Sequence, residues 1–356
     1  MPHAYINRIG TAWPAHEVHG FFLRFALSKL ADPRRGAAFS RMADRSGIKR
    51  RYSVIAPGGN PEGACIDAAG LFRRGAFPGV AERMAIYQAK APELAETAVD
   101  RLGLGEGRRE ITHLIVATCT GLSAPGVDID IIQRCGLSES IERTIVGFMG
   151  CYAAINALKL ARHIVRSEPD ARVLVVNVEL CTLHLKETED LEELLTFCLW
   201  GDGCTAALVT AEPAGLRIDS FRALLAMDAR DLMSWDVRED GFDMVLSGQV
   251  PSAIHEQLGR RRAEILGEHV SSDIDLWAVH PGGKSVLDAV ERALDLRPQD
   301  LTLSRDVLRE QGNMSSATVM FVLEKMLATA APGLNGCAMA FGPGLTAEAM
   351  MFRTAG

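Results

Sequence analysis

The sequence predicts a layered α/β fold built from two similar halves, because strand-like and helix-like segments alternate along it and a set of blocks recurs. Apolar runs bounded by turn residues alternate with longer stretches of helical periodicity, which favours helices layered on strands over a sandwich or a bundle. The predicted strands are 112–119, 144–149, 171–179, 204–211, 275–279 and 336–341. The predicted helices are 81–102, 152–167, 283–294 and 315–329.

Three pairs of segments resemble each other in the same order along the chain. THLIVATCTG pairs with DLWAVHPGGK, VGFMGCYAAINALKLA with QGNMSSATVMFVLEKML, and CLWGDGCTAALVTAE with GCAMAFGPGLTAEAMMF. Any two α/β segments look somewhat alike, but agreement in order and type three times indicates a duplication. We therefore expect an N-terminal half, 1–214, and a C-terminal half, 215–356, packed across a pseudo-twofold axis.

Composition and charge exclude several classes of protein. The 356 residues carry 38 Lys and Arg against 45 Asp and Glu, a net charge of −7, so no general attraction to nucleic acid or an anionic membrane is expected. The eight cysteines are scattered without a CxxC pair, which favours reduced thiols over a zinc site or a disulfide framework. No secretory signal pattern opens the chain, and no window approaches the roughly 18 apolar residues of a membrane span. The expected location is the cytoplasm.

Cys151 has the sequence setting of a nucleophile. It lies in FMGCYAAINALKLARHI, where a predicted strand ends, Gly150 permits a sharp turn and a helix follows. The positive end of a helix dipole lowers the pKa of a thiol and favours the thiolate. The alternative is a small buried apolar side chain, which is what most cysteines are and which suits Cys65 and Cys135.

His280 and Asn313 occupy two further positions with a chemical setting. His280 ends the strand DLWAV and precedes Pro281-Gly282-Gly283, a loop where backbone can approach a ligand closely. Asn313 opens the helix that corresponds, in the second half, to the helix after Cys151. A helix N-cap would need the same residue type, and spacing alone does not separate a cap from a catalytic amide. Pseudo-symmetry would bring the two helix starts together.

Together these motifs resemble the type III polyketide synthases, the chalcone-synthase-like branch of the thiolase superfamily. The resemblance covers nearly the whole chain and rests on TCTGLSAPG, the GC turn, WGDG, VHPGGKSVLDAVE, GNMSSATVMFVLEKM and FGPGLTAE. It implies a thiolase-like duplicated α-β-α-β-α fold with two pseudo-symmetric halves. It also implies a catalytic triad of Cys151, His280 and Asn313.

The implied activity is that of an acyltransferase which condenses CoA thioesters. A thiolate takes an acyl group from an acyl-CoA starter, while malonyl-CoA loses carbon dioxide to give the carbanion that attacks the enzyme thioester. The enolate oxygen formed in decarboxylation needs hydrogen-bond donors already in place, which a histidine NH and an asparagine amide supply. The CoA thioesters are substrates, and the resemblance implies no bound cofactor or metal.

A basic segment, FSRMADRSGIKRRY, is the candidate for recognition of CoA. Arg41 and Arg45 are four residues apart and share one face if the segment is helical. The family pattern places basic side chains for the CoA phosphates at these two positions, and it has a lysine where this chain has Ala38. Lys284, with Gly282 and Gly283, is a further candidate for contact with CoA. A solvated charged face is the alternative interpretation.

Residues expected to line the substrate pocket depart from those of the plant enzymes. The resemblance places two aromatic side chains, Trp200 and Phe242, at the junction between the CoA tunnel and the cavity, where the plant enzymes have phenylalanine at the first position. His184, Cys119 and Pro343 are assigned to the same pocket. Each aromatic could instead be an ordinary core residue. The departures argue against a coumaroyl starter and favour a fatty acyl starter released as an alkylpyrone or alkylresorcinol.

The resemblance also implies a homodimer, in which loop 123–126 reaches toward the partner's active site. Two other functions remain open from the sequence. One is a priming-type ketoacyl-acyl carrier protein synthase, which shares fold and triad but performs a single condensation. The other is a non-catalytic thiolase-like protein that binds acyl-CoA.

Overall fold

The computed structural model describes residues 2–355 as a mixed α/β fold around one large sheet. The strands are β1 (Ala4–Ala12), β2 (His16–Glu17), β3 (Tyr52–Ser53), β4 (His113–Thr118), β5 (Glu142–Gly147), β6 (Val173–Leu180), β7 (Asp202–Thr210), β8 (Leu216–Leu225), β9 (Met233–Arg238), β10 (Gly241–Leu246), β11 (Leu276–Val279), β12 (Asn335–Gly342) and β13 (Thr346–Thr354). The helices are α1 (His19–Lys29), α2 (Pro33–Ser46), α3 (Val80–Asp100), α4 (Val127–Cys135), α5 (Ala153–Ser167), α6 (Leu191–Phe197), α7 (Val250–Arg260), α8 (Arg262–Leu266), α9 (Lys284–Ala293), α10 (Thr302–Gln311) and α11 (Ala317–Thr329).

The strand order of the large sheet repeats about its centre. The order is β11-β12-β13-β8-β1-β7-β6-β4-β5, and β1 and β8 are joined antiparallel through Ala4–Ile218, Tyr5–Arg217 and Ile6–Leu216. Outward from β1 the pairings are antiparallel, antiparallel and parallel, and outward from β8 they follow the same sequence. Strand β5 extends the first half alone. We propose that the halves divide just before β8, at 214/215.

Helices and strands stack in five α-β-α-β-α layers, as the resemblance implies. Helices α5 and α11 form the central layer, and inward-facing residues of both halves of the sheet pack on them. In β4, Ile115 and Ala117 face this central layer, whereas Leu114 and Val116 pack with α3 and α4 in the first outer layer. Residues of β11, β12 and β13 pack with α7 and α9 on the opposite side. Because successive side chains of a strand alternate in direction, each buried strand supplies two cores.

A separate N-terminal cluster covers one end of this framework. Helices α1, α2 and α6 pack there around aromatic and aliphatic side chains, including Phe22, Phe25 and Phe39. Helix α2 begins at Pro33 after Asp32, whose carboxylate accepts a hydrogen bond from the Arg34 backbone NH at 2.8 Å. Arg41 and Arg45 both lie in this helix, four residues apart, and therefore share one of its faces.

All six predicted strands and all four predicted helices are present within a few residues of their expected bounds. Segment 144–149 differs in burial, because β5 is an exposed edge strand rather than a buried one. Strands β1, β8 and β13, which join the two halves or flank that junction, were not among the predicted strands. Their sequences mix polar and apolar residues, so their place in the sheet depends on distant partners.

Candidate active site

Cys151 lies in a single 3₁₀ turn, Gly150–Tyr152, between β5 and α5. The turn requires glycine at position 150 for two reasons. The φ angle of Gly150 is 75°, in the left-handed region, and a Cβ there would lie 2.3 Å from Cδ of Pro343. Pro343, assigned to the substrate pocket by the resemblance, therefore packs directly against the turn that carries the thiol.

His280 immediately follows β11 and is 1% exposed. Its backbone NH donates to the Met339 carbonyl at 2.7 Å, but neither ring nitrogen has a hydrogen-bond partner among residues 2–355. Burial lowers the pKa of His280 to about 3. The imidazole is therefore neutral at physiological pH, with one NH to donate and one nitrogen to accept a proton.

Asn313 is held by its backbone and aims its amide at the loop after His280. Its NH donates to the Leu199 carbonyl at 2.7 Å, and its carbonyl accepts from Gly201 NH at 2.9 Å. Its Nδ2 donates to the Gly282 carbonyl at 3.2 Å, and its Oδ1 accepts from Ser315 NH at 2.9 Å. Helix α11 begins only at Ala317. The prediction that Asn313 opens this helix was wrong, and a helix cap does not account for its position.

These three side chains line one cavity of about 540 Å³. Its remaining wall is a mixture of apolar side chains and a polar entrance. The apolar residues include Leu195, Leu199, Trp200, Met233, Met244, Leu246, Val250 and Phe341, and the polar ones include Arg45, Ser46, Lys284 and Ser285. Cys151 is more than a hundred residues from both His280 and Asn313 in the sequence, yet the three side chains face a common space.

The protonation state of Cys151 differs from the one expected at a helix N-terminus. Burial raises the pKa of the Cys151 thiol to about 12, although a hydrogen bond with Ser315 acts in the opposite direction. The prediction of a resting thiolate is therefore corrected: the thiol is neutral, because desolvation outweighs the favourable dipole. Cys151 and His280 can exchange a proton only when an incoming group stabilises the charges that result.

A buried carboxylate that sequence reasoning missed lies behind the thiol. Glu179 ends the apolar run of β6 and is 0% exposed. It accepts hydrogen bonds from the Cys119 backbone NH at 3.0 Å, the Thr120 hydroxyl at 2.9 Å and the Ser316 hydroxyl. Burial raises the pKa of Glu179. An acid near the end of a strand that is apolar except for Asn177 was the sequence signal that could have revealed it.

Cys119, His184 and Phe242 lie outside the described lining of the cavity. The Cys119 thiol is 3.1 Å from the Ser315 hydroxyl and 3.5 Å from the carboxylate of Glu179. The His184 ring stacks on Phe242 with centroids 4.1 Å apart. Its Nε2 donates to the Thr120 carbonyl at 2.8 Å and its Nδ1 accepts from Phe242 NH at 3.0 Å. Burial lowers the pKa of His184 to about 3. These contacts fix the wall behind the cavity.

The residues expected to contact CoA divide into two groups. Arg45, Gly282, Gly283 and Lys284 line the cavity, whereas Arg41 is exposed on α2 outside that lining. Lys284 is half exposed and pairs with Asp288 at 2.7 Å, a solvated ion pair of small energetic value. Its ammonium can therefore turn to an incoming phosphate at little cost.

The backbone of Trp200 is held by Arg51, a buried member of the basic segment FSRMADRSGIKRRY. Arg51 donates from Nη1 to the carbonyls of Phe197 and Trp200, and from Nε to Nδ1 of His19 at 3.0 Å. Gly201 and Leu199, on either side of Trp200, hold the backbone of Asn313. Arg51 therefore supports both the Trp200 wall and the strand-like contact that positions Asn313.

Two negative findings concern the part of the chain that the structure describes. No helix within 2–355 is both long and apolar enough to cross a membrane. Over the same range, no group of three or more His, Cys, Asp or Glu side chains is placed to hold a metal ion.

Comparison with known proteins gives consistent matches over the full length. Family models for chalcone and stilbene synthases match residues 2–213 with the N-terminal domain and 222–356 with the C-terminal domain. The chain is 35% identical to the alpha-pyrone synthesis polyketide synthase-like Pks18 of Mycobacterium tuberculosis, covering 98% of this chain and 91% of that protein. It is 33% identical to bisdemethoxycurcumin synthase of Oryza sativa subsp. japonica, covering 98% and 92%.

Solved structures match over a similar extent. PKS-I from the brown alga Ectocarpus siliculosus superposes with a TM-score of 0.87 at 27% identity, covering 99% of each chain. The C-terminal type III polyketide synthase domain of Steely1 from Dictyostelium superposes with a TM-score of 0.89 over 99% of this chain and 100% of that one. At 24% identity, the second likeness concerns the fold alone.

Proposed function

Because the chain belongs to the chalcone and stilbene synthase family, the type III polyketide synthases, and is an acyltransferase of this kind, we propose that Cys151, His280 and Asn313 carry its reaction. The observation that carries the proposal is the convergence of a buried thiol, an imidazole with two unpartnered nitrogens and a side-chain amide on one cavity of about 540 Å³. Acyl-CoA and malonyl-CoA are the substrates of this reaction class.

Loading begins with proton transfer from the Cys151 thiol to the neutral His280 imidazole. The thiolate attacks the carbonyl carbon of the acyl-CoA thioester, and the bond to the CoA sulfur breaks as the enzyme thioester forms. The imidazolium returns its proton to the departing CoA thiolate. His280 is suited to this role because its low pKa makes it neutral before the transfer and ready to release the proton after it.

Condensation then uses His280 and Asn313 as hydrogen-bond donors to a second substrate, malonyl-CoA. The thioester oxygen of malonyl-CoA accepts hydrogen bonds from His280 NH and from Asn313 Nδ2, whose second hydrogen is not needed by Gly282. Loss of carbon dioxide places charge on this oxygen, and the buried donors stabilise it. The enolate carbon attacks the acyl carbonyl on Cys151, which releases the thiolate and leaves a ketoacyl-CoA ready for another round.

We propose a linear fatty acyl starter and a pyrone or resorcinol product. Support comes from the aliphatic and thioether wall formed by Met233, Met244, Leu246 and Val250, which matches an alkyl chain better than a phenolic ring with polar substituents. The relative at 35% identity is described as acting in alpha-pyrone synthesis. We propose that Arg45 and Lys284, exposed side chains on the cavity wall, bind the CoA phosphates, and that Arg41 adds long-range attraction.

We also propose that the protein is a homodimer and that it is located in a reducing compartment. Apolar side chains are exposed on the edge strand β5 (Ile145), on the loop before α4 (Leu122) and on α4 itself (Ile129), and Leu122 is 51% exposed. An apolar patch beside an unpaired strand edge is typical of an interface.

All eight cysteines are free thiols within the described chain, which supports the cytoplasm as the location.

Incubation with a ladder of acyl-CoAs and labelled malonyl-CoA tests the proposal. Pyrones or resorcinols that need Cys151 are expected from the wild type, and Cys151→Ala should abolish covalent acyl loading. Cys65→Ala and Cys135→Ala are matched controls and should load nearly as well as the wild type. A single ketoacyl product delivered only from a carrier protein would instead indicate a priming-type synthase, and unmodified Cys151 with bound acyl-CoA would indicate a non-catalytic protein.

A further inference from the structure

A second cavity of about 70 Å³ adjoins the cavity of Cys151, with which it shares a wall. The wall consists of α6, a single short helix, and the residues after it. Leu195, Thr196 and Leu199 line the cavity of Cys151, Phe197 lines the second cavity, and Trp200 lines both. Trp200 is therefore the one side chain among the described residues that the two cavities share.

The second cavity is apolar over most of its wall. Its lining includes Phe21, Phe22, Phe25, Phe72 and Phe197 with Val18, Ile55, Ile66 and Leu185. A water-sized group needs about 10–15 Å³ by the same measure, so the cavity holds several such groups. An alkyl chain is the ligand that such a wall favours, whereas ordered water would lack polar partners over most of it.

One polar group on this wall has a donor to spare. Arg51 is 2% exposed, and its Nε and Nη1 are occupied by His19, Phe197 and Trp200. Its Nη2 has no hydrogen-bond partner among the residues that the structure describes. A buried donor left unpaired costs free energy, so an oxygen atom placed there would gain more than an ordinary surface hydrogen bond.

The other polar side chains of the wall are already satisfied. The Ser53 hydroxyl lies 2.7 Å from the Thr182 hydroxyl and accepts from Ile55 NH at 2.9 Å. Asp67 accepts from the backbone NH groups of Ala69 and Phe72. A ligand in this cavity would therefore find apolar surface and a single strong donor.

We infer that the second cavity binds the far end of the starter acyl chain, and that the chain it fits best carries a hydroxyl oxygen, a hydrogen-bond acceptor, near that end. The inference rests on the proposed function, because it requires an acyl group anchored at Cys151. A chain held there enters the second cavity when the Trp200 ring turns aside, and its oxygen meets Nη2 of Arg51.

Two experiments test this inference. One compares alkyl starters with their hydroxylated analogues, and the other uses variants in which a larger side chain fills the second cavity. Wild-type protein is assayed with linear acyl-CoAs from hexanoyl to palmitoyl and with the terminally hydroxylated analogue of each. At one or more longer chain lengths the hydroxylated starter should have a kcat/KM about tenfold higher than its alkyl partner. Equal values for every pair would overturn the assignment of Arg51.

Phe25→Trp places a larger ring in the second cavity, and Ile66→Phe is a second, independent filling variant. Each should lower kcat/KM for the long starters about tenfold, leave hexanoyl-CoA unchanged and abolish the preference for the hydroxyl group. Phe39→Trp, in the same cluster but outside the cavity lining, is the matched control. If the folded filling variants show the same dependence of kcat/KM on starter length as the wild type, the inference is overturned while the proposed function stays intact.

Failure of the proposed function gives a different result. In that case the wild type would condense none of the starters with malonyl-CoA, at any chain length, and the inference would fall with it. If neither filling variant folds, the comparison of paired starters on the wild type decides, since it needs no substitution.

Discussion

His280 and Cys151 show how burial, rather than residue type, decides the chemistry available at a single position. Both side chains are removed from water, and both are neutral as a result: burial lowers the pKa of the imidazole to about 3 and raises that of the thiol to about 12. Separating charge between them is therefore unfavourable until a thioester carbonyl is present to accept the thiolate's attack. The resting enzyme is protected from unwanted thiolate reactions by the same burial.

Asn313→Asp separates a structural from a catalytic role at this residue. Aspartate keeps the acceptor for Ser315 NH but loses the Nδ2 donor and brings negative charge toward the developing enolate. We expect malonyl-CoA decarboxylation to fall about a hundredfold or more, with a far smaller loss of acyl loading on Cys151. Decarboxylation is followed by carbon dioxide release and loading by mass spectrometry. Normal decarboxylation in the folded variant would remove Asn313 from the catalytic set.

His19→Gln tests the effect of a buried neutral histidine on stability. Burial and the charge of Arg51 lower the pKa of His19 from 6.5 to about 4. Below pH 6.5 the unfolded chain takes up a proton at His19 that the folded chain does not, so this contribution to stability is lost as pH falls toward 4. Between pH 7 and pH 5, the wild type should lose roughly 2 kcal/mol of unfolding free energy relative to His19→Gln.

Urea unfolding at the two pH values provides the measurement, and the exposed His16→Gln is the control. Burial raises the pKa of Asp202 to about 6, which acts in the opposite direction over part of the range, so the difference between variants is the quantity to compare. A difference between wild type and His19→Gln that does not change with pH would contradict the prediction.

At the scale of an element, the turn from β5 into α5 depends on glycine and proline packing together. The Gly150–Tyr152 turn has no room for a side chain at its first residue, and Pro343 arrives from the far half of the chain to fill the space. The second half therefore shapes the local geometry of the turn that carries Cys151 in the first half. This contact is the physical link between the GPGLT segment and the GC turn in this chain.

Gly150→Ala should disable the nucleophile without a general loss of fold. A Cβ at a φ of 75°, 2.3 Å from Pro343, must displace the turn, and we expect acyl loading to fall by about a hundredfold or more. Gly59→Ala is the matched control, because no described atom lies within 4 Å of its Cβ position, its φ is not in the left-handed region and it lies outside the cavity lining. Loading at wild-type rate in Gly150→Ala would show that the turn tolerates displacement.

At the scale of the whole molecule, the exposed β5 edge is the feature that the single chain leaves unexplained. Ile145 is 43% exposed, and the loop at Gly126 packs so closely on it that a Cβ at position 126 would lie 2.8 Å from its Cδ1. In an isologous dimer the same patch serves both subunits, so one substitution acts twice.

In the proposed homodimer, Ile145→Asp should therefore shift the protein from dimer to monomer at micromolar concentration, since two buried carboxylates would face the same apolar interface. Sedimentation velocity or light scattering after gel filtration measures the change. Leu225→Asp is the control, because Leu225 is 52% exposed in the other half. A wild-type monomer that still forms product would contradict the dimer, and a dimeric Ile145→Asp would place the interface elsewhere.

The sequence alone determined the α/β class, the order of the main elements and the positions of Cys151 and His280. These follow from local patterns: apolar periodicity over one element, and a glycine next to a strand end. The proposed triad could be named because each member lies in a short motif that resembles the family's. The correct start of α11, by contrast, depended on backbone contacts from Leu199 and Gly201 to Asn313, more than a hundred residues away.

Only the tertiary structure determined the protonation states of Cys151 and His280, the hydrogen bonds around buried Glu179 and the existence of the second cavity. Arg51 meets Trp200 across 149 residues of sequence, and the Ser316 hydroxyl meets Glu179 across 137. A local pattern holds no information about such pairs, because they form when separate layers close on each other. The pKa values of Cys151 and His280 follow from the same closure, since it is the packed layers that exclude water from both groups.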